Sequence, residues 1–141
     1  MNASRVIQES LSARGIDATV VIADSSVKAQ LESFHAVIFA SPTWDDMYSE
    51  GQPLPEIKEY LESLTAKDLA GKKVAVLGLG DTSYEHFCGA VDVIESILKK
   101  LGVVPIVPSL RIDKYYFSPN GEEMVKNWAD TFASILLSSG A

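Results

Sequence analysis

A single cysteine, at position 88, and two histidines, at 35 and 86, are all the thiols and imidazoles in 141 residues. One thiol excludes an internal disulfide and fits a reducing compartment, so the expected location is cytoplasmic. So few imidazoles and thiols are poor material for a zinc site, and the carboxylates are not spaced as a calcium loop. Long apolar runs are missing as well. None approaches the roughly 20 residues of a membrane helix, and the opening MNASRVIQESLSARG lacks the apolar centre of a secretion signal. Without such a signal the sequon Asn2-Ala3-Ser4 reads as chance. Positive charge is scarce: 12 Lys and Arg stand against 19 Asp and Glu, a net charge of −7. Such a surface repels phosphate backbones, which argues against nucleic-acid binding. It attracts basic protein surfaces, and it equally serves solubility.

What is present is a globular composition, 47% hydrophobic and 22% charged. It fits one domain spanning residues 1–141, with no repeat, low-complexity tract or linker. Val6, Ile7 and Leu11 share one face of a helix over 3–14, and Gly15 stops it. DATVVIAD (17–24) is short and β-branched and reads as a strand, followed by a short helix over 25–32. HAVIFAS (35–41) is a continuous apolar run, the pattern of a strand covered on both faces; His35 at its start reads as structural. LPEIKEYLESL (54–64) repeats Ile57, Tyr60, Leu61 and Leu64 at helical spacing, with Pro55 in the first turn. GKKVAVLGLG (71–80) is a third buried strand, and 89–101 a helix with Val91, Ile94, Ile97 and Leu98 on its apolar side. VVPIVPSLRI (103–112) reads as a fourth strand, placed at an edge because Pro105 and Pro108 donate no ladder bond. GEEMVKNWADTFASILL (121–137) is the closing helix. Alternating helices and strands imply an α/β domain, a mainly parallel sheet with helices on both faces.

In such a sheet ligands bind beyond the carboxyl ends of the strands. Two loops with unusual content fall there. SPTWDDMYSEGQP (41–53) places Trp44 and Tyr48 where a connection is normally polar, with Asp45 and Asp46 beside the indole. Taken alone, Trp44 reads as packing over the sheet. GLGDTSYEHFCGA (78–90) supplies Gly78 and Gly80, which let a ligand approach the backbone, and Tyr84 and Phe87, which add aromatic surface. If neighbouring strands carry the two loops, Trp44 and Tyr84 can face each other across a flat ring whose polar rim is read by Asp81 and nearby amides. The glycines are no dinucleotide fingerprint, since the third is missing, and no phosphate-binding P-loop is present. Cys88 lacks the partners of a nucleophile and reads as a small polarisable packing residue near the ligand.

Thr43-Trp44 with two acidic residues, GLGDTSYEHFCGAVD further on, and SLRID at 109–113 together resemble short-chain flavodoxins. The resemblance runs from about residue 4 to the C-terminus. It implies a flavodoxin-like three-layer sandwich, FMN as cofactor, and a low-potential one-electron carrier between redox proteins, with no substrate of its own. It implies that Trp44 and Tyr84 cover the two faces of the isoalloxazine. Gly80, Asp81 and Cys88 would meet the pyrimidine edge, and Ser41 and Thr43 the ribityl chain. Pro42, Asp45, Asp46, Gly78, Leu79 and Phe87 complete the implied cofactor contacts. Redox proteins with basic docking patches are the implied partners. Family members often carry a glycine where a peptide flips towards the reduced ring. Asp45 stands there, and aspartate adopts positive φ less readily. A weaker hold on the half-reduced flavin is therefore expected.

The match also breaks. The family's first strand and its phosphate loop, roughly T-x-T-G-N-T, have no counterpart, and residue 1 aligns just inside the first helix. In the family's order 2-1-3-4-5 that strand is central. Three explanations stand open: a truncated chain, which is favoured; direct pairing of strands 2 and 3; or a strand donated by a second chain, giving an oligomer where a monomer is otherwise expected. The missing loop also supports an alternative function, a flavin-free interaction module of the same fold. A phosphoacceptor receiver domain ranks low, because Ser41-Pro42-Thr43-Trp44 offers no acceptor aspartate. For a flavin-dependent reductase, no catalytic acid or base stands out.

Overall fold

Gly15 ends the first helix by turning left-handed, with φ 79°. Its amide donates to the Ser12 carbonyl and that of Ile16 to the Leu11 carbonyl, both at 3.0 Å. This paired closure satisfies two carbonyls that a helix end otherwise leaves orphaned. The computed structural model describes residues 2–20, 31, 33–42, 55–80, 89–113 and 120–138. Within them lie α1 (Asn2–Ala13), β1 (Ala36–Pro42), α2 (Pro55–Glu62), α3 (Ala66–Leu69), β2 (Lys73–Gly80), α4 (Gly89–Lys100), β3 (Leu110–Asp113) and α5 (Gly121–Ser138). Helix α4 closes as α1 does: Gly102 has φ 76°, and the Val103 amide donates to the Leu98 carbonyl at 2.9 Å.

The strands form a three-stranded sheet in the order β1-β2-β3, and both pairings are parallel. Central β2 is apolar on both faces because both are covered: Val74, Ala75, Val76 and Leu77 are fully buried. Side chains alternate across a strand, so this run feeds two cores. Ala75 and Leu77 join Ile7 and Leu11 of α1 with Val125, Ala129 and Phe132 of α5. Val74 and Val76 join Tyr60 and Leu61 of α2 with Val91, Ile94 and Leu98 of α4. The result is the expected three layers, helices on both faces of a parallel sheet.

At the surface Arg14 ties α1 to α5, bonding Asp130 at 3.3 Å and the Ser134 hydroxyl at 3.2 Å. The Lys126 ammonium, 2.9 Å from Asp130, is the main cause that holds this carboxyl below its ordinary range, and Arg14 adds to it.

Two expected strands need correction. Residues 17–20 of the 17–24 run lie in no strand, and 21–24 lie outside the described residues. A β-branched run becomes a strand only beside a ladder partner, and no described strand stands next to it. Instead the Gln8 side-chain amide donates to the Ala18 carbonyl at 2.9 Å. In the 103–112 run, ladder pairing begins only at Leu110. Pro105 and Pro108 interrupt the earlier part, which bonds the sheet from the Ile106 amide to the Val74 carbonyl at 2.9 Å and buries Val107 in the core beside Ala75 and Leu77. The Pro108 carbonyl accepts from the Trp128 indole at 2.9 Å, anchoring this segment on α5. As expected, β3 stands at an edge of the described sheet. Of the helix expected over 25–32, only Leu31 lies among the described residues, and it is buried.

Sequence reading missed α3. Four residues carry no periodicity; what defines them is the Asp68 carboxylate, which accepts from the Thr65 amide at 2.7 Å and the Thr65 hydroxyl at 3.1 Å.

Candidate functional site

Because the strands run the same way, their carboxyl ends share one edge of the sheet. Ser41 is the register partner of Gly78, Pro42 of Leu79, and Gly80 of Asp113. Neighbouring strands lie about 4.8 Å apart, so the chain leaves β1 after Pro42 and β2 after Gly80 from adjacent points. Of the candidate residues, Ser41, Pro42, Gly78, Leu79 and Gly80 are thereby brought to one edge by their backbones. Gly78 is buried there. Thr43, Trp44, Asp45, Asp46, Tyr48, Asp81, Tyr84, His86, Phe87 and Cys88 lie outside the described residues.

The second loop returns into α4, which begins at Gly89. That helix is braced against β3 by a cluster the sequence reading missed. The Arg111 guanidinium lies 2.7 Å from Asp92 and 3.5 Å from Glu95, and the Ser109 hydroxyl donates to Glu95 at 2.7 Å. The available signal was the i, i+3 spacing of Asp92 and Glu95, which puts both carboxylates on one face of α4. The cluster positions the helix that follows the second loop.

Elsewhere, the Tyr60 phenol is raised above its ordinary value, mainly by burial and then by the charge of Asp68. It belongs to the core under α2 and α4. Among the described residues no group of three or more His, Cys, Asp or Glu is placed to hold a metal ion. Nor is any described helix long and apolar enough to cross a membrane.

A parallel sheet between two helical layers, with two connections leaving adjacent strand ends, defines an open α/β domain, a class whose ligands bind at the carboxyl edge. The chain belongs to the flavodoxin family, whose model, described as flavodoxin, matches residues 1–128. It is 36% identical over 132 residues to a flavodoxin of Maridesulfovibrio salexigens, covering 93% of this chain and 86% of the relative. It is 34% identical over 124 residues to the sulfite reductase [NADPH] flavoprotein alpha-component of Photobacterium profundum, covering 85% of this chain but only 20% of that one. Oxidised flavodoxin 2 from Bacillus cereus superposes with a TM-score of 0.79 at 31% identity, over 94% of this chain and 88% of its own.

Membership makes the chain an FMN-binding electron carrier that exchanges electrons with redox partner proteins. At that edge the two loop roots lie side by side, and neither Gly78 nor Gly80 carries a side chain.

Proposed function

We propose that this chain holds FMN between Trp44 and Tyr84 and passes single electrons between redox proteins in the cytoplasm, without a substrate of its own. The observation that carries the reading is the pairing of Ser41 with Gly78, which roots the loops bearing the two aromatics on adjacent strands. In this reading the indole and phenol stack on the two faces of the ring and exclude water from it. Gly80, Asp81 and Cys88 meet its polar rim, with Leu79 and Phe87 beside them, and Ser41, Pro42 and Thr43 border the ribityl chain. Asp45 and Asp46 keep negative charge near the ring, which opposes adding more and so lowers its potential. When bound, FMN supplies the one-electron chemistry; the protein supplies stacking, hydrogen bonds and electrostatics.

The net charge of −7 supports partners whose docking patches are basic. The relationship to a reductase subunit over a fifth of its length fits a carrier module, since that relative's other parts lie beyond the match. Neither the fold nor the family relationship favours the flavin-free module.

Titration of the purified chain with FMN tests the reading. Quenched flavin fluorescence is expected, with binding weakened at least about tenfold in Trp44→Ala and in Tyr84→Ala, the loss of one stacking partner. A chain that neither carries nor takes up flavin overturns it, as do two alanine variants that bind like the parent.

A further inference from the structure

Arg111 is the register partner of Gly78, so its side chain leaves β3 on the face of the sheet that α4 covers, beside a position with no side chain. There it meets the first two turns of α4. The guanidinium donates to the Asp92 carboxylate at 2.7 Å and lies 3.5 Å from Glu95, which also accepts from the Ser109 hydroxyl at 2.7 Å. The chain entering β3 is itself tied to the opposite layer, because the Trp128 indole of α5 donates to the Pro108 carbonyl at 2.9 Å. Residues 108–111 thus link α5 to the start of α4.

Stability is not the main product of these contacts. Ala90, Val91, Ile94 and Leu98 already bury the apolar side of α4. Arg111, Asp92 and Glu95 keep 34%, 68% and 38% of their side chains exposed, and ion pairs so open to water add little to folding. The first turn of a helix also carries the positive end of its dipole, which disfavours a cation; Asp92 in that turn makes a guanidinium tolerable there. What the fork supplies is geometry. Apolar burial is non-directional and leaves a helix room to roll or slide, whereas a planar guanidinium set against two carboxylates about one turn apart fixes rotation and height together.

The connection that carries Asp81, Tyr84, Phe87 and Cys88 is held at Gly80 on β2 and at Gly89 on α4. We propose that Arg111 is a positioning residue for the flavin: by pinning the first turns of α4 it fixes the second end of that connection, and with it the grip on FMN. The inference rests on the flavin reading and adds to it a residue that acts through Asp92 and Glu95 rather than by touching the cofactor.

FMN titration of the full chain, paired with amide exchange of the flavin-free chain, tests this. Arg111→Gln and Asp92→Asn should each weaken FMN binding at least about fivefold, and the double variant no further, because each substitution breaks the same bridge. Without FMN, exchange at Val93 and Ile94, whose amides close the first turn of α4, should quicken at least about tenfold in either variant, while Leu98 keeps the parent rate. The urea midpoint of each should stay above that of Leu61→Ala. Opposite signs for the two single variants overturn the proposal: a direct effect of charge on the anionic FMN makes loss of a cation harmful and loss of an anion helpful. So do effects that multiply in the double variant, or a urea midpoint as low as that of Leu61→Ala, which reports general damage. A parent that takes up no FMN overturns the flavin reading and this inference with it. A parent that binds FMN, beside variants with unchanged binding or unchanged exchange, overturns this inference alone.

Discussion

Ser41 and Gly78 stand opposite each other in the β1–β2 ladder. Thirty-odd residues of chain separate them, and a parallel pairing cancels that separation. Shortly beyond this pair each strand ends, so two loops far apart in sequence start side by side. On the proposed flavin site, each loop supplies one wall of the ring.

Asp45 follows β1 by a few residues and lies outside the described residues. On the proposed flavin site, Asp45→Gly relieves a backbone penalty of about 1 kcal/mol where the peptide turns towards the reduced ring. The two one-electron potentials of bound FMN should then move apart by roughly 40 mV. Redox titration of both proteins measures the separation, and equal separations reject the role given to Asp45.

Leu61 is fully buried in the core between the sheet and helices α2 and α4. Leu61→Ala should destabilise the protein by about 2–5 kcal/mol, from lost apolar transfer plus the cavity left behind. Urea unfolding should show a lower midpoint at an unchanged slope. A loss under about 1 kcal/mol would mean that α2 is not seated on the sheet as described.

Burial, helped by the charge of Asp68, raises the Tyr60 phenol. A group whose folded value is raised contributes stability that is complete below its unfolded value, about 10 for tyrosine. That contribution is lost as pH rises through the higher folded value, because the unfolded chain ionises first. Tyr60→Phe should therefore lose less stability than the parent between roughly pH 9 and 11. Parallel curves of urea midpoint against pH would rule this out.

Gly15 and Gly102 hold φ of 79° and 76°, and a β-carbon added at either meets nothing within 4 Å. The penalty of Gly15→Ala or Gly102→Ala is thus backbone strain alone, about 1–2 kcal/mol each. Asparagine, which enters the left-handed region more easily, should cost less at both positions. Thermal melts of the four variants give the order; alanine equal to glycine would contradict the paired helix closure.

The helices were legible where 3.6-residue periodicity met a stop. Val91, Ile94 and Leu98 mark α4, and Gly102 ends it. Strands β1 and β2 were legible as short apolar runs. Residues 17–20 of the 17–24 run and 103–109 of the 103–112 run are not strand, because strand structure is a relation between segments and these residues have no described ladder neighbour. Prolines confine the latter run to Leu110–Asp113. At the site, aromatic and glycine content was readable, as was the specific stretch around Gly80.

The amino-acid order by itself determined the local choices: where backbone could turn, which faces were apolar, and which residue types stood in the two loops. Those depend on side-chain shape and polarity within a few residues. Only tertiary structure decided that Ser41 meets Gly78, that Arg111 braces α4, and that one face of β2 packs on α1 and α5 and the other on α2 and α4. These are pairings across long stretches of chain, set by register and by packing of both layers at once, and no short window of sequence contains them.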